Sequence, residues 1–255
     1  LAQWVNYDGH RSLFESRSQN RKGLLMWMSH SCWPSMVWQT YDYYFEPTAA
    51  YFAIKKASEP LHIQWNPATD EVEVVNYSAG THKGLTAKVQ ILNMDASVAW
   101  EKEATVDSNE DTTNKCIKLA FPANLSKVHF IKMVLTENGK VVSDNFYHRS
   151  LEENNYQDLR QLAKVALQST TTVDKNADGT WSAVSVIENK TSTPALMIRL
   201  NVVGSKDGQQ LLPVFYSDNY FSLLPGEKKE VRMSWKDEDT RGNEGKVLIT
   251  GYNVE

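Results

Sequence analysis

His129-Phe130-Ile131-Lys132-Met133-Val134-Leu135, a break at Glu137-Asn138-Gly139-Lys140, and then Val141-Val142-Ser143-Asp144-Asn145-Phe146-Tyr147 is the stretch that decides the fold. Two short runs patterned with a period of two flank an Asn-Gly pair. Asn-Gly suits the two-residue hairpin turn, whose central residues both need positive φ. The chain therefore folds back on itself here as an antiparallel hairpin.

Upstream of the hairpin the same pattern recurs over residues 61–65, 71–77, 87–92, 98–106 and 116–121, with polar breaks between the runs. With the hairpin this makes seven short strands over residues 59–152, the pattern of an immunoglobulin-like β-sandwich. The Cys…Trp…Cys core signature of antibody domains is absent. Residues 153–168 read as a linker in which Tyr156, Leu159, Leu162, Ala163, Ala166 and Leu167 recur at helical spacing, so a short amphipathic helix is expected. Residues 169–255 hold a second series, at 170–173, 181–187, 196–203, 210–216, 220–223, 229–235 and 246–253. Pro225-Gly226 and Arg241-Gly242-Asn243 supply turns within it. A second immunoglobulin-like sandwich is expected.

Residues 1–58 differ. They hold twelve of the 27 aromatic residues, among them Trp4, Trp27, Trp33 and Trp38. A helix over residues 4–19, a turn at Asn20-Arg21-Lys22-Gly23, an apolar strand over 24–28 and a second helix over 48–57 are expected. That helix ends before Pro60, because the residue preceding proline disfavours the helical conformation. Helix, strand, loop, helix is one and a half units of an α/β fold and makes no core alone. The segment is expected to dock on the first sandwich through residues 48–57 and the Pro60 junction, or to pack on a second copy.

Composition sets outer limits. With 255 residues, 41% apolar and 23% charged, the chain has material for two globular domains. A net charge of −4 gives no basic footprint for nucleic acid. No apolar run reaches the roughly 20 residues of a membrane span, so neither nucleic acid nor membrane is expected as a partner. Two cysteines, Cys32 and Cys116, are read as free thiols that leave the compartment open. The chain opens on Leu1 rather than Met, so an upstream portion is expected.

The segment Trp27-Met28-Ser29-His30-Ser31-Cys32-Trp33-Pro34-Ser35-Met36-Val37-Trp38-Gln39-Thr40-Tyr41-Asp42-Tyr43-Tyr44 resembles the eighth-strand motif of family 2 glycoside hydrolases, in the exo-β-glucosaminidase and β-mannosidase branch. Ala53 to Gln64 is similar to that branch's passage from the last barrel helix into the next sandwich. Ser143-Asp144-Asn145-Phe146-Tyr147, Tyr156-Gln157-Asp158-Leu159 and Pro213 to Glu227 resemble it further, in the expected order. The resemblance implies that residues 1–58 are the last α/β segment of a TIM barrel, whose site lies at the C-terminal strand ends. It implies a retaining hydrolase with two catalytic carboxyls on the fourth and seventh strands, neither within this chain. The chain is accordingly expected to be non-catalytic, completing the upstream barrel of the same polypeptide and bracing its sugar pocket. The expected partner is an oligosaccharide or glycan with a terminal β-linked sugar such as β-mannose or β-glucosamine. No cofactor and no metal are expected, and the parent is expected to be periplasmic or secreted.

Four residues are the substrate-binding candidates that the resemblance marks. Trp27 falls where the family places an aromatic at the floor of the terminal-sugar subsite; a buried barrel tryptophan is the competing reading. Trp33 and Trp38 lie on the loop beyond. His30, with Ser31, stands where relatives usually carry Asn-Asn or Asn-Asp; a ligand contact and a structural histidine are both open. Among nearby carboxylates, Asp8, Glu15, Asp42, Glu46 and Glu59, Glu15 is expected on a solvated helix face and Asp42 to order its loop. Asp174-Lys175-Asn176-Ala177-Asp178-Gly179 opens like a calcium loop, but its twelfth position is Ser185 and strands flank it, so it reads as a hairpin turn. Trp65, Trp100, Trp181 and Trp235 fall in strand patterns, where core packing is expected over carbohydrate platforms. An independent carbohydrate-binding sandwich is the alternative function.

Overall fold

The computed structural model describes residues 1–16, 23–35 and 38–255. The described residues contain two α-helices, α1 (Ala2–Glu15) and α2 (Ala49–Ala57), and are otherwise mainly antiparallel β. Two compact units emerge. One comprises Leu1–Gly9, Leu25–Ala53 and Leu162–Glu255, and the other His10–Leu24 and Ile54–Gln161.

The second of these is built on seven strands: β1 (Leu61–Asn66), β2 (Glu71–Asn76), β3 (His82–Asn93), β4 (Val98–Ser108), β5 (Thr112–Lys118), β6 (Val128–Glu137) and β7 (Lys140–Ser150). They form a three-stranded sheet, β1-β2-β5, and a four-stranded one, β4-β3-β6-β7. Ile63, Val72, Val74 and Ile117 of the first sheet share one core with Leu85, Val89, Ile91, Ile131 and Met133 of the second. Three strands on four around one core is a sandwich. The hairpin forms as read: Glu137 pairs with Lys140, and Asn138 and Gly139 take φ of 51° and 76°. The expected strand at 116–121 lies earlier, at Thr112–Lys118.

The other sandwich contains β8 (Gln168–Lys175), β9 (Thr180–Glu188), β10 (Ala195–Gly204), β11 (Phe215–Tyr216), β12 (Phe221–Leu223), β13 (Lys228–Lys236) and β14 (Gly245–Thr250). Its sheets run β11-β13-β9-β8 and β12-β10-β14. Trp235, at 2% exposure, stacks parallel to the half-buried Trp181, and Gly245 faces the Trp235 ring where a side chain would not fit. Residues 176–179 are the tight connection of the β8–β9 hairpin, as read.

Three expectations are corrected. Residues 24–28 form no strand, and Leu25 and Trp27 are exposed. A lone parallel strand has no neighbour for its backbone N–H and C=O groups, and no described strand flanks this one. The linker helix reduces to a 3-10 turn, Gln157–Gln161, because Val165 is spent in a bridge to Val254 at the chain's other end. The aromatic segment does not dock on the first sandwich alone. Lys56 does bond Asp144 there, at 2.6 Å, but Ala49 and Phe52 enter the core of the second. Phe52 meets Tyr216 and Tyr220 at ring distances of 6.3 and 5.9 Å. The turn expected at residues 20–23 and the end of the first expected helix fall largely outside the described residues.

Candidate functional site

The four marked residues lie on residues 25–48, a loop held by its own hydrogen bonds. Thr40 Oγ1 and the Tyr41 N–H both donate to the Ser29 carbonyl, at 2.8 and 3.1 Å. Thr48 Oγ1 donates to the Gln39 carbonyl at 2.8 Å, and buried Ser31 donates to Gln39 Oε1 at 2.8 Å. With these polar groups satisfied inside, the loop turns its large aromatics outward. Trp27, Trp33 and Trp38 are 82%, 67% and 58% exposed. An indole with an open face is what sugar stacking requires.

His30 is positioned more tightly. It bridges Tyr41, its Nε2–H donates to the Tyr43 carbonyl at 3.3 Å, and its ring stacks on Phe45 with centroids 4.3 Å apart at 15°. In the tautomer that donates through Nε2, Nδ1 is an acceptor. Asp42 orders the turn carrying Tyr43 and Phe45, as expected. Its Oδ1 accepts the N–H groups of Tyr44 and Glu46 at 2.8 and 2.9 Å. Phe45 takes a φ of 66°, uncommon for an aromatic residue. Glu46 is engaged by the Arg199 guanidinium of β10.

The other carboxylates are committed elsewhere, and Glu15 corrects its expectation. It is buried, because the outward-facing polar residues of β1 need partners. Its carboxylate accepts from His62 Nε2 at 3.0 Å, from Asn145 Nδ2 at 2.8 Å and from the Tyr147 hydroxyl at 2.8 Å. Glu59 closes the far side of the ring, 3.1 Å from His62 Nδ1, and accepts from Ser143 and Lys56. Burial opposes charge on His62, yet the hydrogen bonds to Glu15 and Glu59 outweigh it and lift the imidazole above its ordinary 6.5. Burial likewise opposes charge on Glu59, and His62 and Lys56 still hold it below 4.5. Tyr147 is raised well above 10, by burial first and Glu15 second.

Sequence reading missed this cluster and Arg199. The signal for the cluster was in His62 and Gln64, whose alternation within β1 suggests a wet face; every residue of 61–65 is buried.

A cleft of about 180 Å³ is lined by Gln3, Trp4, Arg199, Tyr220, Thr250 and Tyr252 among others. Its strongest polar groups are already spent, Arg199 on Glu46 and Gln3 Oε1 on the Ala49 N–H at 2.9 Å. Trp65 and Trp235 lie in cores, and Trp100 and Trp181 are half-buried. No group of three or more His, Cys, Asp or Glu arranged for a metal occurs among the described residues, and no described helix is long and apolar enough to cross a membrane.

Residues 145–254 match the family model of the exo-β-D-glucosaminidase Ig-fold domain. An exo-β-D-glucosaminidase of Streptomyces avermitilis is 32% identical over 99% of the chain and 31% of its own length. The crystal structure of the Amycolatopsis orientalis exo-chitosanase CsxA has a TM-score of 0.92 at 30% identity, covering 99% of the chain and 33% of that protein. A β-D-mannosidase of Dictyoglomus thermophilum shares the fold, with a TM-score of 0.72 at 18% identity over 99% of the chain and 29% of its own. The chain spans about a third of the length of these relatives. Along nearly its whole length the chain is thus similar to exo-β-D-glucosaminidases, and residues 145–254 match the Ig-fold domain of that family.

Proposed function

We propose that this chain is the non-catalytic part of an exo-acting, retaining glycoside hydrolase that releases terminal β-linked glucosamine. Residues 1–58 complete its barrel at the sugar pocket, and two immunoglobulin-like sandwiches, 59–152 and 169–255, brace it. The observation that carries this reading is the correspondence with the exo-chitosanase along 99% of the chain at a TM-score of 0.92 and 30% identity, against 18% for the β-D-mannosidase. Fold alone supports no function; the exposed aromatics of residues 25–48 add a surface suited to sugar.

In this reading Trp27 is the floor of the terminal-sugar subsite, Trp33 and Trp38 flank it, and His30 contacts a sugar hydroxyl. Retaining hydrolysis needs two carboxyls about 5–5.5 Å apart that reach the substrate. Of the carboxylates near this segment in sequence, Glu15 and Glu59 are occupied by His62, Asp42 by its turn and Glu46 by Arg199. The chain by itself is therefore inactive, and the pair belongs to the rest of the polypeptide.

Hydrolysis of aryl β-D-glucosaminide and β-D-mannoside tests this, with the 255-residue chain and the intact enzyme side by side. The expected result is no turnover by the chain and preference for glucosaminide by the enzyme. Turnover by the chain, lost on substituting one of its own carboxylates, overturns the non-catalytic part. A preference for mannoside overturns the substrate.

A further inference from the structure

We propose that Arg199, a residue of the second sandwich, is a positioning residue for the sugar-contacting imidazole of His30. This rests on the reading of His30 given above and extends it to a strand that carries none of the marked residues.

Each link is a contact. On β10, Ile198, Leu200 and Val202 point into the core while Arg199, paired with Thr250 of β14, faces outward, half-sheltered. Its Nη2 engages Glu46 Oε1. A guanidinium is a rigid planar fork with no alternative protonation state near neutral pH, so it fixes a carboxylate in direction as well as in place. Glu46 ends a four-bond turn. Its N–H is held by Asp42 Oδ1 at 2.9 Å, its carbonyl accepts from the Asp42 N–H at 3.0 Å, the Tyr44 N–H meets the same Oδ1 at 2.8 Å and the Phe45 N–H meets the Asp42 carbonyl at 3.2 Å. That turn presents two groups to His30: the Tyr43 carbonyl, which holds the proton on Nε2, and the Phe45 ring, which fixes the plane of the imidazole. The positive φ of Phe45 costs energy and persists only where neighbours enforce it; the Arg199–Glu46 pair at the next residue is such a constraint.

Without the clamp, the turn loses the contact that ties residue 46 to β10. The Tyr43 carbonyl and the Phe45 ring then no longer define one tautomer and one orientation, and Nδ1 is no longer a fixed acceptor. A displacement of about 1 Å in a positioning group is enough to cost on the order of 100-fold in rate. Arg199 touches no substrate in this scheme; it acts through His30.

The test is a double-mutant cycle in the intact enzyme, with R199M, E46Q and H30A alone and R199M/H30A combined, read as kcat/KM on aryl β-D-glucosaminide. We expect R199M and E46Q each to lower kcat/KM about tenfold or more, and R199M to have no further effect in the H30A background. A side chain that only stabilises the sandwich would multiply with H30A instead. E46Q keeps the shape of the side chain, so it reports on the clamp if R199M unfolds. In the 255-residue chain, nitrogen-15 NMR of the imidazole should show Nε2–H dominant in the wild type and mixed tautomers in E46Q. An H30A enzyme with unchanged kinetics would sink the sugar-contact reading and this inference with it. An impaired H30A beside normal R199M and E46Q, or multiplicative effects, would overturn the positioning role alone.

Discussion

His62 Nε2 lies 3.0 Å from Glu15 Oε1, and neither side chain is more than 7% exposed. With Glu59 Oε2 at 3.1 Å from the other ring nitrogen, the imidazole faces a carboxylate on each side, an arrangement that favours its protonated form. A histidine whose folded pKa lies above its unfolded 6.5 adds stability that is fully present below 6.5 and lost as the pH rises through the folded value. Glu59, lowered from 4.5, works the other way, its contribution vanishing as the pH falls through its folded value. Lys56 and Arg11 are the cations packed on the cluster, through Glu59 and Asn145. Urea unfolding at about pH 6 and about pH 9 should show wild type weakening on the alkaline side. His62→Gln should be less stable at the lower pH and flatter between the two. Parallel pH curves would contradict a charged His62.

Removing Glu15 costs more than removing any one of its partners. Glu15→Ala takes one acceptor away from each of His62, the Asn145 amide and the Tyr147 hydroxyl inside a buried cluster, a loss on the order of 3–5 kcal/mol. Tyr147→Phe removes a hydroxyl that serves Glu15 and the Trp65 N–H, at 2.8 and 3.1 Å, and should cost about 1–3 kcal/mol. Calorimetry or denaturant midpoints give the order; the reverse order would place Glu15 in solvent.

One substitution, glycine to alanine, should have opposite signs at two positions. At Gly245 the added Cβ would lie 2.4 Å from Trp235 Cζ2, against a ring at 2% exposure with no room to retreat. Overpacking of this kind costs about 1–3 kcal/mol. At Gly9, inside α1, the Cβ meets nothing within 4 Å, and Gly9→Ala should stabilise by about 0.5–1 kcal/mol. Thermal melts of the two variants decide it, and a tolerated Gly245→Ala would mean that Trp235 is free to move.

The two thiols should react at very different rates. Cys32 is exposed, whereas Cys116 sits half-buried on β5 with its Sγ–H 3.3 Å from the Val72 carbonyl. Burial pushes the Cys116 thiol up to about 11, so little thiolate exists near neutral pH. An aromatic disulfide reagent at pH near 8 is expected to modify one thiol quickly and the second only on unfolding. Two fast thiols would require a different position for β5.

Most strands were legible because alternation and turn chemistry are local. The Asn138-Gly139 hairpin needs only its own residues, and its two positive φ values follow. Residues 24–28 were misread because an apolar run specifies a strand only if neighbours complete it. Residues 210–216 shortened to Phe215–Tyr216 for a related reason: the run pairs with β13 only at its end. Within the candidate site, the sequence marked Trp27, His30, Trp33 and Trp38 through a motif, and Asp42 through its side-chain chemistry. Arg199 was out of reach, since it lies 153 positions from Glu46 in sequence. Glu15 was misassigned because a carboxylate on a helix is ordinarily wet, and only the tertiary structure lays that helix turn over the polar face of β1.

Phe52 and Ala49 sit among the core residues of a sandwich whose strands begin more than a hundred positions later. Its strands alone are thus an incomplete hydrophobic body, with a hole where an aromatic ring belongs. Such a domain is a poor unit of genetic exchange. A recombination breakpoint in the polar stretch between the two strand series, where composition alone would place a clean boundary, separates the sandwich from its own plug. Crossovers that carry the helix along, or that supply another ring in its place, keep that core complete.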